Sequence, residues 1–259
     1  MIDPLYIAAT GMHAQQTNVE TISNNLANLN TTAFKRGRVS FEDLMYREVA
    51  RAHGLLGSNV DVLRNGAGVS LAATSKSFEQ GDFKKTDQTY DVAIRGSGLF
   101  QVLARDGTPA FTRNGAFHVD SDGFLANTQG HLLEPAIQVP PDATNVTIEP
   151  GGRVLAQVPT DRDPIEIGHI ELATFVNPDA LNPLGDGLYL PTEISGDANP
   201  LTPGDQGAGV LQQGFLEGSN VKLVDEFVNL IVAQRAYEIN AKAVQAADEM
   251  LSIANNLHR

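Results

Sequence analysis

"ISNNLANLNTTAFKR", from Ile22 to Arg36, packs Asn24, Asn25, Asn28 and Asn30 into seven positions. Asparagine is a poor helix former because its amide competes for backbone hydrogen bonds. Yet Leu26 and Leu29 carry an apolar rhythm straight through the amides. Traced back, that rhythm runs Leu5, Ala8, Met12, Gln15, Val19, Ile22, Leu26 and Leu29, in alternating steps of four and three, with Gln15 the only polar member. This is a heptad seam, and it predicts a helix about 37 Å long at ~1.5 Å per residue. Gly11 is its weak point, and Phe34-Lys35-Arg36 is where the chain turns away.

The other end repeats the pattern. Leu223, Glu226, Leu230, Ala233, Tyr237, Asn240, Val244, Ala247, Leu251 and Ala254 keep the same spacing, and only Glu226 and Asn240 are polar. No Gly or Pro interrupts 221–257. Ser219 or Asn220 can cap this helix, and Asp225 and Glu226 suit its first turn. Either both helices pack on one globular core, or the two ends pair with each other as a coiled coil.

The middle reads as β. Turn pairs recur at Asp106-Gly107, Asn114-Gly115, Asp122-Gly123 and Gly151-Gly152, between short runs such as "LFQVLA", "AFHVD" and "VTIEP". In "PIEIGHIELATF", Ile165 and Ile167 share one parity and Ile170 and Leu172 the other, so a bulge at Gly168-His169 is expected. The fold class is therefore α+β: a terminal helical domain of 1–45 with 218–259, an extended connector over 46–70, and an antiparallel β domain over 71–217. At about 25 residues the connector is long for a compact domain, which marks it as functional or disordered.

Composition narrows the function. The chain of 259 residues carries 31 acidic against 18 basic side chains, a net charge of −13. Phosphate affinity comes from clustered Lys and Arg, so a nucleic-acid or anionic-membrane binder is not expected. No cysteine is present, which removes disulfides, thiolate catalysis and Cys-ligated zinc. No apolar run approaches the ~18 residues of a membrane span, and "MIDPLYIAATGMHAQQ" lacks the basic start of a cleaved secretory signal. Gly96-Ser97-Gly98 and Gly66-Ala67-Gly68 lack the third glycine of a dinucleotide loop and lead into no helix. The run from Asp120 places Phe124 and Leu125 where a calcium loop needs a ligand and a glycine. No catalytic, cofactor or metal residues are expected. An acid–base carboxylate pair has no positive support, although carboxylates are plentiful.

"SNNLANLNTTAFKR" resembles the N-terminal signature of the bacterial flagellar basal-body rod and hook proteins. In that pattern an Asn-Asn-Leu-Ala-Asn core is followed by Thr, Gly, an aromatic and Lys; Ala33 stands here in the glycine position. "GFLEGSNV" and "EFVNLIVAQRAYEINAKAVQAADEML" match the C-terminal pattern, with Phe227 in place of a Leu. "DVAIRGSGLFQV" and "FTRNGAFHVDSDGFLANTQGHLL" match in the middle, so the similarity covers essentially the whole chain. Length and "QRAYEINAKAV" are most similar to the distal-rod members.

The resemblance implies a structural subunit that stacks helically into a hollow, rigid drive shaft around an export channel and transmits torque from motor to hook. It implies paired terminal helices, an outer β domain, and a periplasm-spanning location reached without a cleaved signal. Its partners would be further copies of itself, proximal rod proteins, the hook protein, the ring bushing and the flagellar export apparatus. The connector would brace neighbouring copies. Assembly contacts would fall on Leu5, Met12, Val19, Ile22, Asn24, Asn25, Leu26, Asn28, Leu29, Phe34, Lys35, Leu230, Tyr237, Asn240, Val244 and Leu251. Asn24 and Asn28, one turn apart, would meet neighbours with uncharged donors and acceptors. Phe41 and Met45 fit an aromatic-x-x-x-apolar pattern for export recognition. A proximal-rod or hook-type subunit, a periplasmic peptidoglycan hydrolase and a coiled-coil adaptor are the competing readings.

Overall fold

The computed structural model describes residues 3–44, 47–50, 62–104, 107–159, 163–205 and 207–257. The chain is α+β and divides into two compact units. One comprises Met1–Ala27, Gly37–Ser75 and Lys222–Arg259; the other comprises Asn28–Arg36 and Lys76–Val221.

In the first unit, helix α1 spans Asp3–Ala27 and helix α2 spans Leu223–Leu257, and the two pack side by side. Both follow from the uninterrupted apolar periodicity at the chain ends. Residue 25 touches residue 226 and residue 11 lies against residue 240, so the helices run antiparallel. Gly11 is a site of close approach rather than a weak point: a β-carbon there would sit 2.9 Å from the Asn240 amide nitrogen. The rest of the unit is a β ribbon. Strand Gly37–Asp43 pairs with Val69–Lys76, and Arg47–Ala50 pairs antiparallel with Val62–Asn65. Parts of the expected 46–70 connector are therefore paired strands. Thr10 tethers the ribbon to α1, because its hydroxyl accepts from the Val69 amide at 3.4 Å. Gly68, at φ 112°, lets the ribbon come this close, since a β-carbon there would lie 2.4 Å from the Thr10 hydroxyl.

The second unit is built of short antiparallel strands. Leu99–Leu103 is its centre. It pairs with Pro109–Thr112 and Leu132–Glu134, and its first residues also pair with Leu172–Thr174. Side chains alternate across this sheet. Phe100 and Val102 face a core with Phe117, Leu125, Leu133 and Ile170, while Leu99 packs with Phe111 and Tyr189 on the opposite face. Edge-to-face ring pairs, Phe100–Phe117 at 5.1 Å and Phe111–Phe175 at 4.9 Å, lie one in each layer. Two of the turn pairs join antiparallel strands: Gly151-Gly152 links Asn145–Ile148 to Arg153–Gln157, and Asp122-Gly123 links Phe117–Val119 to Leu125–Asn127, with Gly123 at φ 86°. Asn114-Gly115 lies instead between strands that do not pair, and Asp106 lies outside the described residues. Asp120 closes the Asp122-Gly123 turn by accepting the Asp122 and Phe124 amides, each at 2.9 Å.

The expected bulge lies slightly earlier than its sequence position. Arg153–Gln157 pairs Val154 with Gly168 and Leu155 with Glu166, leaving Ile167 as the extra residue. Strand Ile165–His169 then ends, and Leu172–Thr174 starts a separate strand in the larger sheet.

Candidate assembly site

The asparagine-rich stretch builds a clamp. Asn25 is buried, and its side-chain carbonyl accepts the Gly37 amide at 2.8 Å. Its side-chain amide donates to the Gly37 carbonyl at 3.0 Å and to Glu226 at 3.3 Å. One side chain thus joins α1, the ribbon and α2 within the first unit. A carboxamide suits this position because it both donates and accepts without carrying charge. Asn24 is exposed and Asn28 half-buried; Thr31 donates its hydroxyl to the Asn28 side chain at 3.1 Å.

Along α1, Ala8, Ala14, Ile22 and Asn25 are the buried positions. Leu5, Met12, Val19 and Leu26 are half-buried, and so is Leu29, which the heptad placed in the helix but which lies in the turn after Ala27. Along α2, Glu226, Ala233 and Ala247 are buried, Leu230, Asn240, Val244 and Leu251 are half-buried, and Tyr237 is exposed.

A second stripe on α2 escaped the sequence reading. Val228, Val232, Ile239, Met250 and Ile253 are 54–66% exposed. Val232, Ile239, Met250 and Ile253, with Ala236, Ala243 and Ala246, trace a row of heptad spacing one residue ahead of the seam that faces α1; Val228 lies beside the start of this row, where Asp225 and Asn229 occupy it. The signal was present in the sequence, because "NLIVAQRAYEINAKAVQAA" carries apolar residues on two faces. The more familiar seam masked it.

In the second unit, the two signature stretches meet as a knot. The Ala33 amide donates to the Glu217 carbonyl at 2.8 Å, and the Arg36 amide donates to the Asn220 side chain at 2.7 Å. Asn220 in turn donates to the carbonyls of Ser77, at 2.8 Å, and Glu79, at 3.0 Å. Ala33 takes a left-handed φ of 56°, which explains why the family pattern has glycine there. Phe34 is half-buried, with the Lys76 ammonium 4.5 Å from its ring centre.

Lys35 is fully buried inside this knot. Its ammonium donates to Glu217 at 2.7 Å and to the Glu79 carbonyl at 2.7 Å. Glu217 also receives Arg113 at 2.6 Å and the Gly81 amide at 2.9 Å. Arg113 spends its remaining donors on the carbonyls of Ile94, Gly96 and Gly98. One carboxylate therefore balances two buried cations. Burial pushes the Lys35 ammonium below its ordinary value, against the opposing pull of Glu217. Burial alone would raise the Glu217 carboxyl, but the charges of Arg113 and Lys35 and their hydrogen bonds hold it below its ordinary range. Tyr189 is pushed up to about 12 by burial and by the Glu217 charge. Glu217 was not anticipated as the shared partner of Lys35 and Arg113, since 182 and 104 residues separate it from them.

Phe41 is exposed on strand Gly37–Asp43; Met45 lies outside the described residues. Among the described residues, no group of three or more His, Asp or Glu side chains is placed to hold a metal ion, and no helix is long and apolar enough to cross a membrane.

Three family models match the chain. "Flagella basal body rod protein" covers residues 5–35, "Flagellar hook protein FlgE/F/G D1 domain" covers 93–156, and "Flagellar basal body rod FlgEFG protein C-terminal" covers 212–257. The flagellar basal-body rod protein FlgG of Borreliella burgdorferi is 46% identical over 264 residues, covering 100% of both chains. The protein of that name in Caulobacter vibrioides is 41% identical over 98% of both chains. That of Bacillus subtilis is 37% identical over 100% of both.

Proposed function

The chain belongs to the family of flagellar basal-body rod proteins, structural subunits of the distal rod and not enzymes, and from that premise we propose that it polymerises by laying the outer apolar stripe of α2 on the terminal helices of neighbouring copies. The observation that carries this reading is the exposure of that stripe. From Val232 through Ile239 and Met250 to Ile253, an apolar row runs along a helix whose other apolar face is already occupied. Contiguous apolar surface of this kind marks an interaction site. Each such side chain gains about 1.5–3 kcal/mol on burial, before ordering costs. A contact between different faces of identical subunits does not close on itself, and it generates an open helical polymer.

In this reading α1 and α2 form an antiparallel two-helix coiled coil. Support comes from the spacing of their contacts: 11 to 25 and 226 to 240 are both fourteen residues, two heptads on each helix. The coiled coil, residues 1–45 with 218–259, forms the inner layer around an export channel. The 46–70 segment braces neighbouring copies, and the β domain of 71–217 lies outside. Leu5, Met12, Val19, Leu26 and Leu29 remain available for contacts between copies. Asn25 and Lys35 instead hold the single chain in the shape that assembles. The rod so formed passes torque from motor to hook. It joins proximal rod proteins and the hook protein, turns within the ring bushing, and arrives through the export apparatus, which reads Phe41 and Met45.

Ile239→Asp tests the polymer contact. The exposed site tolerates the change, so the isolated subunit keeps its helicity and its stability within about 0.5 kcal/mol. In a rod every copy would bury an unpaired carboxylate, at a cost of several kcal/mol each. Electron microscopy of basal bodies from cells carrying only this variant is expected to show rods that stop before the distal segment. Rods of normal length would refute the contact.

A further inference from the structure

Helix α2 outruns its partner. It has 35 residues, about 52 Å at ~1.5 Å per residue, against 25 in α1. The contacts of residue 25 with 226 and of 11 with 240 set Asp3, where α1 begins, level with Asp248. The last nine residues of α2, 249–257, therefore extend about 13 Å past the start of α1. Leu251 continues the seam into this overhang, and Met250 and Ile253 on it are 59% and 61% exposed.

The opposite end of α2 carries an apolar patch of similar length. Val224, Phe227, Val228, Ile231 and Val232 fall at i, i+3, i+4, i+7 and i+8, so they share one face, and they are 49–71% exposed. Val224 and Ile231 each stand two residues, about 200° of turn, before the buried Glu226 and Ala233. The patch is therefore on the back of α2, away from α1. It covers 224–232, about 12 Å of helix. Lys222, Asp225 and Asn229 lie on its flank, between it and the α1 seam, and the exposed Arg235–Glu238 ion pair, at 2.8 Å, closes its far end.

Both surfaces are apolar, bare and alike in length, and contiguous apolar surface marks an interaction site. They differ from each other and sit at opposite ends of one helix. A dimer made from two overhangs would leave both patches in water, and a dimer made from two patches would leave both overhangs there. Only a head-to-tail contact covers both, and such a contact does not close.

We propose that the overhang of α2 lies on the back of the first turns of α2 in the next copy, covering Val224, Phe227, Val228 and Ile231. Val228 and Ile253 are 25 residues apart, so successive copies follow at about 38 Å along α2, less than its length. The inference rests on the polymer reading above and names the two surfaces that meet.

The absence of cysteine makes the test direct. Val228→Cys and Ile253→Cys are placed together in the full chain. The two sites are about 38 Å apart on one helix, and a disulfide needs β-carbons about 3.5–4.5 Å apart, so no chain can bridge to itself. Rods isolated from cells carrying this variant are oxidised, run on denaturing gels without reductant, digested and mapped by mass spectrometry. The monomer band is expected to be lost to a ladder of trimers and longer chains, joined by bonds between 228 and 253. Rods that yield no such bond, or a ladder whose bonds join 228 to 228 and 253 to 253, would overturn the proposal.

Maleimide labelling of rods carrying Ile239→Cys separates this contact from the reading beneath it. Protection there without a 228–253 bond refutes the contact alone; free labelling refutes the stripe reading on which the contact rests. If the double-cysteine variant builds no rods, Val228→Lys with Ile253→Glu decides the matter. Rods lost with either substitution alone and regained with both support the contact, and rods still absent with both overturn it.

Discussion

Glu217→Gln lowers the stability of the β unit by about 3–5 kcal/mol, enough to unfold many domains of this size. The carboxylate is wholly buried and is the common partner of Lys35, at 2.7 Å, and Arg113, at 2.6 Å. Glutamine keeps the shape but removes the charge. It also presents an amide donor where one cation already donates. Two buried cations then have no counter-charge, and the Gly81 amide competes for the single remaining acceptor. Chemical denaturation of the purified subunit measures the loss; a change under 1 kcal/mol would show that the triad contributes little. The same carboxyl sets an acid limit. Its folded value lies below the ordinary 4.5, so its stabilisation is fully present above that pH. It is lost as pH falls through the lowered folded value. Lys35 stays protonated in both states over that range and adds no slope. The unsubstituted subunit should therefore lose stability in acid below about pH 4.5, and Glu217→Gln should lose less of it.

Gly115→Ala is the second large effect. A β-carbon at this position would fall 1.7 Å from the Val92 carbonyl oxygen and 3.1 Å from the Phe100 ring. The Val92 amide donates to the Gly115 carbonyl at 3.0 Å, so the two backbones cannot part without breaking that bond. Val92 is itself fully buried in the main core. Overpacking and the lost hydrogen bond together predict a cost of about 3 kcal/mol or more. Gly151→Ala is the matched control, since a β-carbon there meets nothing within 4 Å. It should be neutral to about 0.5 kcal/mol. Thermal unfolding of both variants checks the contrast; equal melting temperatures would contradict it.

The helices were legible because their periodicity is long and unbroken, and the β unit because its turns carry Asx-Gly and Gly-Gly pairs. The fine register of α1 was less legible. A strict heptad puts Met12 and Leu26 in the seam, yet Ala14 and Asn25 are the more deeply buried residues there. The difference arises because α1 serves two partners. Thr10 and Asn25 also hold the ribbon, through Val69 and Gly37, and a pattern fitted to one interface cannot register two. Lys35 was singled out by its motif, but its role was not visible. Its counter-ion lies 182 residues away, and no local rule links the two. The outer stripe of α2 was written in the sequence all along. What hid it was the assumption that one helix has one apolar face.

The most direct test of the assembly account uses a single cysteine at Ile239→Cys in a chain that has none. Maleimide labelling is followed on the purified subunit and on rods isolated from cells. The account predicts rapid labelling of the subunit, where Ile239 is 66% exposed, and strong protection in the rod. Equal labelling of both would mean that the outer stripe stays in water, and that the rod is held together by some other surface.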